Sequence, residues 1–164
     1  MQLTLIGNIG PVADTAWNLP IGYEITALKD SDWPALAELY LTAYPREIVA
    51  DFAAAKEEMS VTQAGEYGPL LAELSPVIKR ENEIAGVVMT VEQAPWPDTP
   101  AGLFIIEVIT HPRHQRKGLA KAGLLWLAKK AHAQGFRTLA LRVESENIGA
   151  VTLYRKLGFS EWGA

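Results

Sequence analysis

HPRHQRKGLAKAGLL, residues 111 to 125, sets four basic side chains, two histidines and two glycines between an apolar run and an apolar, helix-patterned stretch. The run before it, Leu103 to Thr110, is apolar on both faces except for Glu107, which marks a central strand covered on both sides. A chain leaving such a strand turns at Pro112 and enters a helix near Lys117. The free N–H groups of that helix's first turn then point back toward the strand end, with the positive end of the macrodipole behind them. The stretch is a built anion site. Gly118 removes the Cβ that would hold a phosphate off the backbone, Ala120 keeps the next turn small, and Arg116 and Lys117 add full charges.

Outward from this motif, strand patterns occupy Gly22 to Leu28, Ser75 to Lys79, Ala85 to Glu92 and Thr138 to Glu144, with a weaker one at Gln2 to Ile6. Helical spacing begins at Asp30, with Asp30 or Ser31 as cap and Pro34 in the first turn, and runs through Ala43. A second helix falls within Ile48 to Gln63. A third runs from about Lys117 to Gln134 and stops at Gly135, and a fourth spans Ile148 to Leu157, capped by Asn147 and ended by Gly158. Helices, a meander of strands, then strand, helix, strand, helix read as an α/β layered domain. With 164 residues, 49% of them apolar, the chain fits one such domain with a sizeable core.

Charge is distributed unevenly behind a net of −4. From Asp30 to Leu74 nine acids stand against Arg46 and Lys56, and from His111 to Leu157 ten bases stand against Glu144 and Glu146. One surface suits a cationic ligand and the other an anionic one, unless these are merely solvated faces of opposite sign. The absence of cysteine removes thiol nucleophiles, disulfides and thiolate metal sites. The start MQLTLIGNIGPVADT lacks the basic region and long apolar segment of a secretory signal, and no apolar stretch reaches the roughly 18 residues of a membrane span. A cytoplasmic protein without a membrane partner is expected.

Other ligand motifs thin out. No glycine-rich loop ends in Gly-Lys-Ser/Thr, and GlyAsnIleGly at 7 to 10 lacks a third glycine and meets Pro11 in place of a helix. Nucleic acid is disfavoured as a partner of the basic run by the acidic total and the missing aromatic platform. His111 and His114 have no third ligand at useful spacing, so they are expected to be loop histidines and no metal is expected.

Gln115, Arg116, Lys117, Gly118, Leu119 and Ala120 fit the Gln/Arg, x, x, Gly, x, Gly/Ala signature of the GNAT superfamily of N-acetyltransferases, after an apolar strand ending in HisPro. Further on, ThrLeuAlaLeuArgValGluSerGluAsn and AlaValThrLeuTyrArgLysLeuGlyPhe resemble that family's closing strand and helix, including Asn147, Tyr154 and GlyPhe at 158 to 159. The resemblance covers about residues 22 to 160. It implies a mixed sheet flanked by about four helices, with residues 22–164 as the acetyltransferase-like domain and 1–21 as an N-terminal extension. One departure stands out: only five residues follow Phe159, where the family continues into a further strand. Gln2 to Ile6 is the obvious substitute, supplied in cis or by the partner subunit of a homodimer.

The activity this resemblance implies is transfer of an acetyl group from acetyl-CoA, as co-substrate, to a primary amine of a small molecule, amino acid or peptide by direct attack. A catalytically silent CoA-binding sensor or subunit is the alternative. The pyrophosphate would lie on the backbone N–H groups of Arg116, Lys117, Gly118, Leu119 and Ala120, with Gln115 opening the turn. The pantetheine arm would run along Val108 and Thr110 like an added strand. A backbone N–H near Ile109 would steady the oxyanion, and Asn147 would touch the arm as well as cap its helix. Glu107, on the strand face with Ile105 and Ile109, is the candidate base, its pKa raised by desolvation, unless it is tied to a neighbouring Arg or Lys. Tyr154 is the candidate acid, although Ala150, Leu153, Tyr154 and Leu157 also form a plain core stripe. The acceptor, a cationic amine, is expected against the N-terminal helices and the 94 to 102 loop, near Trp33, Tyr40, Tyr44, Tyr67 and Trp96.

Overall fold

The computed structural model describes residues 1–163; Ala164, the last residue of the expected 22–164 domain, lies outside them. In chain order the elements are β1 (Gln2–Asn8), α1 (Ile9–Ala13), β2 (Tyr23–Ala27), α2 (Trp33–Ala43), α3 (Phe52–Gln63), β3 (Pro76–Arg80), β4 (Glu83–Val91), β5 (Leu103–Thr110), α4 (Leu119–Ala133), β6 (Thr138–Glu144), α5 (Ile148–Lys156) and β7 (Ser160–Glu161). Among the described residues the strands form one mixed sheet ordered β2-β3-β4-β5-β6-β1-β7, in which only β5 and β6 run parallel. This is the α/β fold expected, with five helices where about four were expected.

The additional helix, α1, was hidden by turn chemistry. Pro11 sits in its first turn, where a missing N–H costs nothing, and Ile9 and Val12 are buried against α4. The start of α2 also differs from expectation. Asp30 to Asp32 form a tight 3₁₀ turn, and Asp32 rather than Asp30 or Ser31 ties the entry, accepting the Lys29 N–H at 2.9 Å and pairing with Lys79 Nζ at 2.8 Å.

Two cores lie on either face of the sheet. On one side α1, α4 and α5 cover Leu5, Leu103, Ile105, Leu139 and Leu141. On the other, Leu36, Leu39, Ala55 and Met59 of α2 and α3 meet Val77, Val87, Met89 and Ile109. Gly123 lets α4 sit close to the sheet, since a Cβ there would stand 3.2 Å from Val88 Cγ2 and 3.4 Å from Ile78 Cδ1.

β1 pairs with β6 from Gln2 opposite Glu144 to Asn8 opposite Thr138, and β7 pairs on its other edge at Leu5 and Ile6. The place beside β6 is therefore filled by the Gln2–Asn8 strand of the same chain. Leu5 at its centre is fully buried. Leu5→Ala is expected to cost about 2–5 kcal/mol of stability, measurable as a lower midpoint in urea unfolding.

Two irregularities at β5 shape the middle of the sheet. Met89 opposes Glu107 but Thr90 opposes Ile105, so Ile106 is an extra residue on β5, a β-bulge. Beyond that point β5 and β6 part, because their pairing covers only Leu103 to Ile105 against Leu139 to Leu141. The bulge also corrects the expected facing of Glu107. Ile105 packs into the α4 side, whereas Ile106 and Ile109 pack into the α2 and α3 side. Glu107 lines a cleft with Glu58 and Met59 of α3, so it shares a face with Ile109 and not with Ile105.

Candidate active site

The β5–α4 turn is bent by two residues in the left-handed region, Arg116 at φ 63° and Gly118 at φ 76°. Gly118 is the N-cap of α4, so the unpaired N–H groups of the first helical turn open onto the space beside it. A Cβ built on Gly118 meets nothing within 4 Å. Glycine is demanded there by the backbone angle, and the room beside it belongs to an open cleft.

That cleft holds about 600 Å³. One wall is Val108 and Thr110 of β5 and the turn residues His114, Gln115, Arg116, Gly118, Leu119, Ala120 and Lys121. The other is Asn147, Gly149, Ala150, Leu153 and Tyr154 at the start of and along α5. Lys117 and Ile109 are not among the lining residues. Asn147 caps α5, its Oδ1 accepting the Ala150 N–H at 3.3 Å, while also facing the cleft.

A second cleft of about 310 Å³ occupies the gap where β5 and β6 diverge and shares Val108, Asn147, Ala150 and Tyr154 with the first. Glu107 lines it, as does Tyr44 from the end of α2. The direction of the backbone groups here follows from the pairing. His111 N–H donates to Ala85 O at 2.8 Å, so alternation along β5 turns the Ile109 N–H toward β4 as well. The Val108 and Thr110 N–H groups face the gap.

Glu107 is half-buried and accepts the Tyr44 O–H. Burial pushes its carboxyl up to about 7; the Tyr44 hydrogen bond works against that, and the nearby Glu58 carboxylate adds to it. Tyr154 is almost fully buried, and desolvation with the Glu107 charge raises its phenol to about 12. Tyr154 therefore keeps its proton across the physiological range, while Glu107 is poised to take one. Removing the single influence that holds Glu107 down has a signed outcome: in Tyr44→Phe the carboxyl titrates higher. Any activity that needs ionised Glu107 should then show its acid limb moved to higher pH by about one pH unit, read from kcat/KM against pH.

On the α3 side of Glu107 a smaller cleft of about 130 Å³ is lined by Glu58, Met59, Thr62, Tyr67, Trp96, Ile106 and Glu107. Tyr67 O–H donates to Glu58 at 2.6 Å, and that bond raises the phenol to about 12. The 94 to 102 loop closes this end. Arg142 holds it, with its guanidinium 4.9 Å from the Trp96 ring centroid and its Nη2 2.8 Å from Asp98.

Several partners were not foreseen from the sequence. Tyr44 is 63 residues from Glu107, and only the gathering of aromatics with acids hinted at it. His111 and His114 are joined by Glu83 of the neighbouring strand β4, a carboxylate that no sequence spacing placed beside them. His114 is not a plain loop histidine: it is 7% exposed, with Tyr23 on Nδ1 and Glu83 on Nε2, each at 2.6 Å. Among the described residues, no helix is long and apolar enough to cross a membrane.

A family model described as the acetyltransferase (GNAT) family matches residues 29–159. The mycothiol acetyltransferase of Renibacterium salmoninarum is 28% identical over 159 residues, which cover 94% of this chain and 44% of that protein. A GCN5-related N-acetyltransferase from Sphaerobacter thermophilus superposes with a TM-score of 0.73 at 20% identity, over 98% of this chain and 48% of that one. The ribosomal-protein-S18-alanine N-acetyltransferase of Escherichia coli superposes with a TM-score of 0.64 at 25% identity, over 85% of this chain and 79% of that one. The sequence matches to these curated relatives cover less than half of each relative's length.

Proposed function

The chain belongs to the acetyltransferase (GNAT) family, and from that premise we propose that it transfers the acetyl group of acetyl-CoA to a primary amine by direct attack, in the cytoplasm. The observation that carries this reading is the convergence of three features on adjoining clefts: a helix N-terminus behind Gly118, the parting of β5 from β6, and a half-buried carboxylate that desolvation pushes up to about 7.

The residues fit such a ligand. Phosphates find the N–H groups at Gly118, Leu119 and Ala120, with Arg116, and Lys117 beside them, adding charge. Val108 and Thr110 present unpaired backbone groups to an extended arm, which adds to the exposed edge of β5 as a strand would. Acetyl-CoA supplies a thioester whose acyl carbon accepts an amine. Glu107 takes a proton from the ammonium substrate, directly or through one water, and the neutral amine so formed attacks. The N–H facing the developing oxyanion is that of Val108, since the Ile109 N–H turns toward β4. Tyr154, held protonated, gives its proton to the leaving sulfur.

The acceptor enters from the α3 side, where Glu58, Glu107, Tyr67 and Trp96 make an acidic, aromatic-lined cleft suited to a cationic amine.

Release of free thiol from acetyl-CoA, followed with a panel of amines, amino acids and peptides, tests the reading. Amine-dependent release is expected, and Tyr154→Phe should slow it with acetyl-CoA affinity within about twofold of wild type. Binding of acetyl-CoA with no release for any acceptor would move the protein to the sensor reading, and absence of binding would overturn both.

A further inference from the structure

The geometry points to a divalent metal site built from Glu83, His111 and His114, bordering the large cleft that His114 also lines but independent of acetyl transfer. Each side chain offers one ligand atom, and the three atoms lie within 4.8 Å of one another. Strand pairing brings them together: Glu83 opens β4, the histidines follow β5, and the antiparallel ladder is pinned between them by His111 N–H on Ala85 O. Ligands about 2.1 Å from a tetrahedral ion stand about 3.4 Å apart, so the widest pair must close by up to about 1.4 Å and the His114–Glu83 pair, now at 2.6 Å, must open by about 0.8 Å. Glu83, with a side chain 40% exposed, has the freedom to make that adjustment.

The second layer of contacts supports the assignment. His114 is buried, and its Nε2 and a Glu83 oxygen already aim at one another across 2.6 Å, where a proton now bridges what a cation can bridge instead. The opposite ring nitrogen meets the Tyr23 hydroxyl at 2.6 Å, which fixes the ring as an outer partner of a metal-bound histidine does. When the ion binds, Nε2 presents its lone pair to the metal and the ring proton resides on Nδ1, where the Tyr23 oxygen accepts it.

Two imidazoles and one carboxylate favour a borderline ion such as Zn²⁺ over Mg²⁺ or Ca²⁺, which take all-oxygen shells. Water to complete the shell enters through a cleft of about 330 Å³ that Glu83 and His111 line. Arg113 is the competitor twice over: its backbone N–H donates to His111 Nδ1 at 3.1 Å, a bond that ring must give up to offer the ion a lone pair. Its guanidinium pairs with the other Glu83 oxygen, but its side chain is 71% exposed and can swing into solvent.

The test is calorimetric titration of Zn²⁺ into the full chain, carried without a polyhistidine tag and stripped of metal beforehand. One Zn²⁺ per chain is expected. Glu83→Gln and His111→Ala, both at partly exposed positions, should each weaken it about tenfold or more, and Arg113→Ala should tighten it several-fold by removing the competing charge. Absence of stoichiometric binding overturns the site, as does binding that Glu83→Gln and His111→Ala leave unchanged.

Discussion

Glu107→Gln lowers kcat/KM by two to four orders of magnitude, the range a general base commands, and leaves the dissociation constant of acetyl-CoA within about twofold. Glutamine keeps the volume and retains an oxygen for the Tyr44 O–H, so the bulge at Ile106 and the packing around it have no reason to change. What disappears is the proton acceptor. In the wild-type protein Glu107 is protonated below pH 7 and ionised above it, because burial has pushed its carboxyl up to about 7. Since the ionised form is the active one, kcat/KM rises with pH through that midpoint and then levels. Glu107→Gln should lose the rise as well as the rate, and Tyr44→Phe should keep the rise but displace it upward. A Gln variant that retained the wild-type profile would assign the limb to another group.

How much of this was legible in the chain depends on what each residue's role needed to know. β5 and β6 have the bounds expected of them because two-faced apolar runs ended by turn residues are local signals. The capping of α5 by Asn147 is as local, and so is Gly118 at the entry to α4. The facing of Glu107 was not legible. A period of two predicts a shared face with Ile105 only while no extra residue intervenes, and the bulge at Ile106 exists in the register against Met89 and Thr90, not in β5 alone. α1 escaped for a related reason: five residues cannot hold a helix by propensity, and it forms because Ile9 and Val12 dock on α4. Tyr44 and Glu83 are remote in sequence from the residues they touch, so neither left a spacing to find. The glycine turn into α4 belongs to one segment of chain and is readable; the carboxylate's partner and direction belong to the assembled sheet and are not.

That division yields an ordering of effects at the turn itself. Gly118→Val is expected to weaken acetyl-CoA binding on the order of a hundredfold, and Lys117→Ala only two- to fivefold. Lys117 is exposed and outside the residues lining the large cleft, and a screened surface charge contributes about 0.2–1 kcal/mol. Gly118 acts twice. At φ 76° an L-residue costs about 1–2 kcal/mol, more when β-branched, and about 1.4 kcal/mol is already tenfold. The two methyl groups would also extend into the open space beside the helix N-terminus, where a Cβ meets nothing within 4 Å beyond the adjoining backbone and a phosphate has to approach. Gly118→Ala separates the two contributions, since it carries most of the backbone cost and less of the bulk, and should fall between the other variants. Titration calorimetry with acetyl-CoA gives the three constants, and unchanged far-UV dichroism shows that the fold survives. If Lys117→Ala proved the more damaging, the charges and not the backbone N–H groups would hold the phosphates, and the role assigned to the turn would be wrong.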